Sequence, residues 1–258
     1  MKYLYYCLLA AVALNFSGSI GWSKTKHHAA ATERHNATVE PDALNALKRM
    51  SAYLGTLDSF ELKADTTVDQ VFKNGQKLQF GGQVTYKVRR PNGFVIELAT
   101  DRKLRRFYYD GKSLTQFAPV AGLFAVVPAP PTIREVMQML SDRYNIVIPM
   151  TDLFRWSDPN DKRAEPLISA VYVGYAKING ADTDHYAFRE ANVDWQVWIE
   201  QGDKPLPLKI VITSTALRGE PQFTSEFAWT ENSSYGDDTF VFHPAAGNLQ
   251  IHLSAIDE

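Results

Sequence analysis

The sequence predicts a mainly β, α+β protein. The expected architecture is one strongly curved antiparallel sheet of about ten or eleven strands, an incomplete barrel, with an N-terminal helix and a mid-chain helical lid over its concave face. Three observations carry this. Apolar and polar residues alternate through segment after segment, as in Val193, Trp195, Val197 and Ile199 against Asp194, Gln196 and Glu200, the period of a strand with one face in oil and one in water. Short polar turns separate these segments, the mark of an antiparallel meander. Only two long stretches show helical spacing, and an open sheet of this size curls and needs a cover for its apolar face.

Taken in order, Met1 to Phe16 is one cation followed by an apolar run too short to span a bilayer comfortably, which reads as a secretory signal peptide. Gly21 and Ser23 offer the small side chains a signal peptidase selects, so residues 1–23 are expected to be removed, with a site near Ser19 as the second choice. An uncleaved anchor is the rival reading. Cys7, the only cysteine, lies inside that run; cleavage leaves a mature chain with no disulfide, thiol nucleophile or thiolate metal site. No other segment is long and apolar enough to span a membrane, so a soluble periplasmic protein, a monomer, is expected.

Residues 24–38 are polar and lack an apolar stripe, a disordered leader. Pro41 to Leu57 places Leu44, Leu47, Met50, Tyr53, Leu54 and Leu57 at spacings of three and four after an acidic start, an amphipathic helix. Phe60 to Lys73 and Gln76 to Arg90 are strands joined by Asn74-Gly75, a dipeptide suited to a tight hairpin. Strands follow at Phe94 to Thr100, Leu104 to Tyr109 and Ser113 to Ala118. Gly122 to Val127 is continuously apolar, three prolines break it, and Ile133, Val136, Met137, Leu140 and Tyr144 resume with helical spacing: the lid. Leu153, Phe154 and Trp156 make an apolar knot before the charged loop 158–165. Strands resume at Leu167 to Ile178, turn at Asn179-Gly180, and continue through Thr183 to Glu200, Leu206 to Ile212, Gln222 to Trp229 and a last short Thr239 to Phe242. The folded domain is expected over 39–247, with 248–258 a tail.

Composition narrows the function. A formal charge of −2 gives no basic field for nucleic acid. The chain carries no Gly-x-Ser-x-Gly elbow, His-Glu-x-x-His pair, phosphate loop or dinucleotide fingerprint. Asp182, Asp184 and His185, with Asp194 across the hairpin, are the best catalytic or metal candidates, although a solvated hairpin face offers the same residues. His27, His28 and His35 lie on the leader without carboxylate support. Neither enzymatic activity, a cofactor nor a metal is expected.

Several pieces in order resemble the LolA/LolB-type lipoprotein carriers of the bacterial envelope, and the whole is similar to an uncharacterised family of predicted periplasmic proteins related to them. Val88-Arg89-Arg90-Pro91-Asn92-Gly93-Phe94 resembles the carriers' Arg-Pro-Asn-x-Phe corner, Tyr109 to Leu114 their Asp-Gly-Lys-x-Leu hairpin, and Phe240-Val241-Phe242-His243-Pro244 their closing Phe-x-Phe-x-Pro. The likeness spans roughly Leu44 to Gly247. It implies helices over the mouth of a half-barrel and an apolar cavity for a lipid or acyl chain, including that of a lipoprotein. By the corner motif Arg90 becomes a lid latch and Phe94 a cavity residue; the other reading makes Arg90 a surface cation and Phe94 core. Lining candidates are Phe94, Ile96, Leu98, Phe124, Met137, Leu140, Trp195, Val197, Phe227 and Trp229, which equally fit a permanently closed core. An envelope sensor or scaffold that binds another protein is the alternative function.

Overall fold

The computed structural model describes residues 38–149 and 166–256. The expected signal peptide, nearly all of the leader, the Leu153 to Trp156 knot and the charged loop 158–165 lie outside the described residues.

Two antiparallel meanders form one twelve-stranded sheet. The first runs β1 (Ser59–Val71), β2 (Lys77–Arg89), β3 (Gly93–Thr100), β4 (Leu104–Tyr109), β5 (Ser113–Ala118) and β6 (Leu123–Pro128). The second runs β7 (Ser169–Ile178), β8 (Ala181–Arg189), β9 (Val193–Glu200), β10 (Pro207–Ser214) and β11 (Gln222–Glu231). A two-residue strand β12 (Leu249–Gln250) lies parallel to β6. The order β12-β6-β5-β4-β3-β2-β1-β11-β10-β9-β8-β7 makes β1 and β11 the seam and leaves the barrel open between β12 and β7. The strand count exceeds the expected one because the continuously apolar run before the lid is β6, and because the tail contributes β12. The Asn179-Gly180 turn follows its sequence signal, with φ 50° and 87°, as a two-residue turn between twisted strands requires; at Asn74-Gly75 only Gly75 has positive φ and the loop is longer, from Val71 to Lys77.

Helix α1 (Pro41–Thr56) starts with Pro41 in its first turn after Glu40, and Asp42 favours the positive end of the helix dipole. Its buried line is Ala43, Ala46, Met50 and Leu54, one position round from the expected leucine stripe. Leu44, Leu47 and Tyr53 flank the contact half-buried, and the alanines at its centre let the helix sit close to the sheet. Helix α2 (Ile133–Tyr144) matches the expected lid. The Thr132 hydroxyl accepts from Glu135 N at 3.3 Å and donates to the Glu135 carboxylate at 2.6 Å, a reciprocal cap. Asn145 in the left-handed region, with Ile146 N on Leu140 O at 2.9 Å, ends it.

Between β11 and β12 the chain crosses the convex face of the first meander. The expected strand at Thr239 to Phe242 is instead a 3-10 turn, Asp237–Phe240, followed by an extended crossing. Arg89 selects it: its guanidinium pairs with Asp237 at 2.6 Å and lies 4.7 Å from the Phe240 ring centroid. The Phe240 ring occupies the space a Cβ on Gly93 would need, 2.9 Å from that position. Phe242 then packs on Tyr108, Phe117 and Phe124, with centroids 4.8 to 5.4 Å away.

Gly93→Val should therefore push out the Phe240 ring and cost about 1–3 kcal/mol, read as a lower urea midpoint. Gly236→Ala, where φ is −73° and a Cβ meets open space, should leave that midpoint unchanged within about 0.5 kcal/mol.

Candidate functional site

The concave face is the large apolar surface of the molecule, and strand register builds it. One row crosses the first meander as Val127, Leu114, Tyr109, Phe94, Val88 and Phe60. The next reads Ala125, Gln116, Phe107, Ile96, Tyr86, Leu62 and, across the seam, Trp229. In the second meander Phe223, Ile212, Trp195, Phe188 and Ala170 form one row, and Ser225, Ile210, Val197, Tyr186 and Tyr172 another. The residues between them point the other way and are largely charged or polar, as Glu61, Lys63, Lys87, Glu97, Arg106 and Glu226 show.

Each helix is tied to one meander. The start of α1 reaches the β7 edge: Glu40 N donates to Ala170 O at 2.8 Å, Ala170 N to Thr38 O at 2.9 Å, and the Glu40 carboxylate accepts from Tyr172 N at 2.8 Å. Near its other end the Tyr53 hydroxyl donates to Glu231 on β11, which also accepts from Lys204 at 2.8 Å. Burial and the Glu231 hydrogen bond push the Tyr53 hydroxyl up to about 12. Helix α2 belongs to the first meander. Ile133 N donates to Pro91 O at 3.0 Å, and the Tyr109 hydroxyl to Pro130 O at 2.6 Å, so the start of the helical segment is held to the sheet. Past its end the hydroxyl of Tyr86, itself fully buried, donates to Pro149 O. Burial, with the charges of Glu135 and Asp110, pushes the Tyr109 hydroxyl up to about 12, so it remains a donor at neutral pH. Between these anchors Val136, Met137 and Leu140 face inward. From outside, Ile256 N donates to Arg143 O at 2.8 Å, tying the tail to the end of α2.

Nine of the ten lining candidates share the concave side. Phe94, Ile96 and Leu98 belong to β3 in the first meander and Met137 and Leu140 to α2; Trp195, Val197, Phe227 and Trp229 belong to the second meander and the seam. Leu98 and Trp229 are half-buried and the other seven buried. The structure does not bring Phe124 to them. It pairs with Phe117 and lies on the convex face beneath Phe242, because side chains alternate and Phe124 is one step out of phase with Ala125. Arg90 stands at a cis Arg90–Pro91 peptide, half-buried, its N–H on Asp58 O at 2.7 Å. Burial holds its guanidinium below the usual arginine range, the Asp58 carboxylate partly offsetting this. The corner it occupies meets the lid through the Pro91 carbonyl. Sequence reasoning missed Tyr86 and Tyr109; their place in the alternating rows was the available signal, while the partners of their hydroxyls were not legible.

The polar cluster does not assemble. Asp182 accepts from Tyr175 and Lys177, Asp184 from Gln201 at 2.7 Å, and Asp194 forms a two-point pair with Arg189 at 2.7 and 2.5 Å. His185 bonds Gln196 at 3.0 Å and stacks on Trp198 at 3.9 Å on the convex face, where burial lowers its pKa. Among the described residues no group of three His, Cys, Asp or Glu is placed to hold a metal, and no helix is long and apolar enough to cross a membrane. A separate cavity of about 460 Å³ on the convex face is lined by Glu61, Lys63, Lys87, Glu97, Arg106 and Thr239 among others; its ionic walls suit water rather than an apolar ligand.

Solved structures give distant likenesses. An uncharacterised conserved protein from Thermus thermophilus is 9% identical with a TM-score of 0.46, over 82% of this chain and 99% of that one. Lipoprotein LppX from Mycobacterium tuberculosis is 12% identical at 0.46, over 76% and 98%. A LolA superfamily protein from Nitrosomonas europaea is 11% identical at 0.36, over 78% and 97%. No curated protein matches the chain. The sequence itself gives the assignment: residues 43–254 match the model of a family described as predicted periplasmic protein, DUF2092, in agreement with the expected location, and the chain belongs to that family.

Proposed function

We propose that the protein is a periplasmic binding or carrier protein that holds a hydrophobic ligand, a lipid or acyl chain that includes those of a lipoprotein, between its concave face and the helical cover. The observation that carries the reading is the construction of that cover. Helix α2 meets the sheet through apolar side chains in its middle and through hydrogen bonds at its ends, so it can leave without stranding a charge in the core.

Magnitudes favour an exchangeable cover. Burying Ile133, Val136, Met137 and Leu140 stabilises the closed state by about 6–12 kcal/mol, at roughly 1.5–3 kcal/mol for each side chain. An acyl chain of about a dozen methylenes gains on the order of 10 kcal/mol at roughly 0.8 kcal/mol per methylene, before ordering costs. The two are of one size, so lid and ligand compete on nearly even terms, and a few hydrogen bonds decide which state is populated. The mechanism is capture and release by repacking, without bond chemistry. Arg90, at the corner that α2 leans on, is proposed as a latch that favours the closed packing.

Protein isolated from its native envelope should carry co-extracted lipid, seen as discrete adducts by native mass spectrometry that vanish on solvent extraction. Empty protein that takes up no lipid, with a stable protein partner in crosslinking instead, would overturn this reading in favour of a scaffold. Tyr86→Phe and Tyr109→Phe each leave a carbonyl unsatisfied, at a cost of about 1–2 kcal/mol. Both should raise amide hydrogen exchange in residues 133–148 by roughly 5–30-fold, the factor that free energy implies, while the amides of β8 to β10 keep their protection. Uniform loss of protection across the sheet would show that the hydroxyls serve global stability and not the cover.

A further inference from the structure

We propose, building on the carrier reading, that the ligand is an anionic amphiphile whose carboxylate or phosphate head is held by Arg105 and Gln116, its tail lying on the apolar rows beneath α2. Arg105 is paired with Leu98, and Gln116 with Phe107 and Ala125. Both therefore share the concave side with Phe94, Ile96, Phe107 and Leu114. They are diagonal neighbours on adjacent strands, a placement that sets Cα atoms about 7–8 Å apart.

What distinguishes the two is unspent hydrogen-bonding capacity. The arginines that project from other positions of this sheet have carboxylate partners: Arg106 has Glu97, Arg89 has Asp237 and Arg189 has Asp194. Arg105 is half-buried, and among the described residues its side chain makes one hydrogen bond, to the carbonyl of Leu104 at 2.9 Å. Gln116 is half-buried too, and its side-chain oxygen is sealed from solvent with no hydrogen-bond partner. In its row it is the one polar residue among Ala125, Phe107, Ile96, Tyr86 and Leu62. Among the described residues this is a cation without a counter-ion next to an unsatisfied amide, both facing an apolar floor, an arrangement that a third group would complete.

An anion completes it. The guanidinium fork fits a carboxylate or phosphate with two parallel hydrogen bonds, and the Gln116 amide presents both a donor and an acceptor, so its oxygen can also accept a hydrogen bond from the P–OH of a singly protonated phosphate. The two residues lie toward the end of the trough away from the Pro91 and Pro130 anchors of α2. From Arg105 along β4 to Tyr109 is four residues, or about 13 Å of strand, with Phe107 between them, so a tail leaving the head there crosses Leu98, Ile96 and Phe107 on its way under the lid. A neutral head leaves Arg105 unpaired, and a cationic head is repelled.

The test uses the full mature chain, freed of lipid, with oleate, oleoyl lysophosphatidate and neutral oleyl alcohol competing against a neutral pyrene-labelled alkane. The wild type should bind at least one of the two anions ten-fold or more tightly than the alcohol, and which one is favoured tells carboxylate from phosphate. Arg105→Gln should erase that preference while leaving the alcohol within two-fold, Arg105→Lys should keep part of it, and Gln116→Leu should reduce it. Equal binding of alcohol and both anions by the wild type, or an Arg105→Gln variant that weakens the alcohol as much as the anions, overturns the head-group site and leaves the carrier reading standing. No binding of any of the three chains overturns both.

Discussion

The antiparallel ladder between β1 and β11, nine residue pairs from Phe60 with Glu231 to Val68 with Phe223, is the constraint on which the rest of the molecule depends. Each meander alone is a local structure of short hairpins with one apolar face and two free edges. Pairing the first strand of one with the last strand of the other joins the two faces into a single surface and fixes their phase. A strand has a period of two, so a slip of one residue at this seam would turn every apolar side chain of one meander to solvent. Leu62 opposite Trp229 and Ala64 opposite Phe227 set the register that keeps both halves facing the same way.

One surface spread over so many strands cannot be left to water, and the chain covers it with two helical segments. Helix α1 comes before the first strand and spans the second meander, bonded backbone to backbone at the β7 edge and through Tyr53 and Glu231 near the seam. Helix α2 lies between the meanders in sequence and is held by tyrosine hydroxyls on proline carbonyls together with two backbone bonds, Ile133 N to Pro91 O and Ile256 N to Arg143 O. A proline carbonyl accepts a hydrogen bond without its own residue offering a donor in return, so such contacts break singly and reform without disturbing a ladder.

Much of this was legible in the sequence because it is local. Alternation and turn residues placed β1 to β5 and β7 to β11 within a few residues, and the Pro-flanked helical spacing of 133–144 placed the lid. Where the reading slipped, a long-range contact had overridden the local pattern. The run Leu123 to Val127 reads as unbroken apolar because Ala125 and Val127 face the concave packing, Phe124 lies beneath Phe242 and Val126 is an exposed apolar residue, so alternation could not show which way Phe124 points. Thr239 to Phe242 alternates like a strand, but Arg89, paired with Asp237 across 148 positions of sequence, selects a 3-10 turn. In α1 the leucines drew attention away from Ala43 and Ala46, which bury more completely because they are small. Nothing in the local sequence sets Arg105 apart from Arg106 beside it; only the register shows it facing inward, with no carboxylate partner among the described residues.

The convex side explains why movement, if the lid moves, should begin at one end. Phe240 and Phe242 pin the crossing segment to β3 to β6, and from there the tail runs through β12 to Ile256, whose N–H holds the carbonyl of Arg143. The start of α2 is bonded to Pro91 in the β2 to β3 turn and by Tyr109 in the middle of the sheet, both parts of the continuous ladder. Its far end is bonded to Ile256, an exposed residue of the tail beyond β12, and to Tyr86 through Pro149, with Ile148 buried beside it. Fewer buried contacts make a segment easier to open, so the bond from Ile256, which is largely exposed, should be lost before those at Pro91, Pro130 and Pro149. The Pro-flanked start of the lid, bonded to Pro91 and Tyr109, would then stay seated after the tail contact is lost.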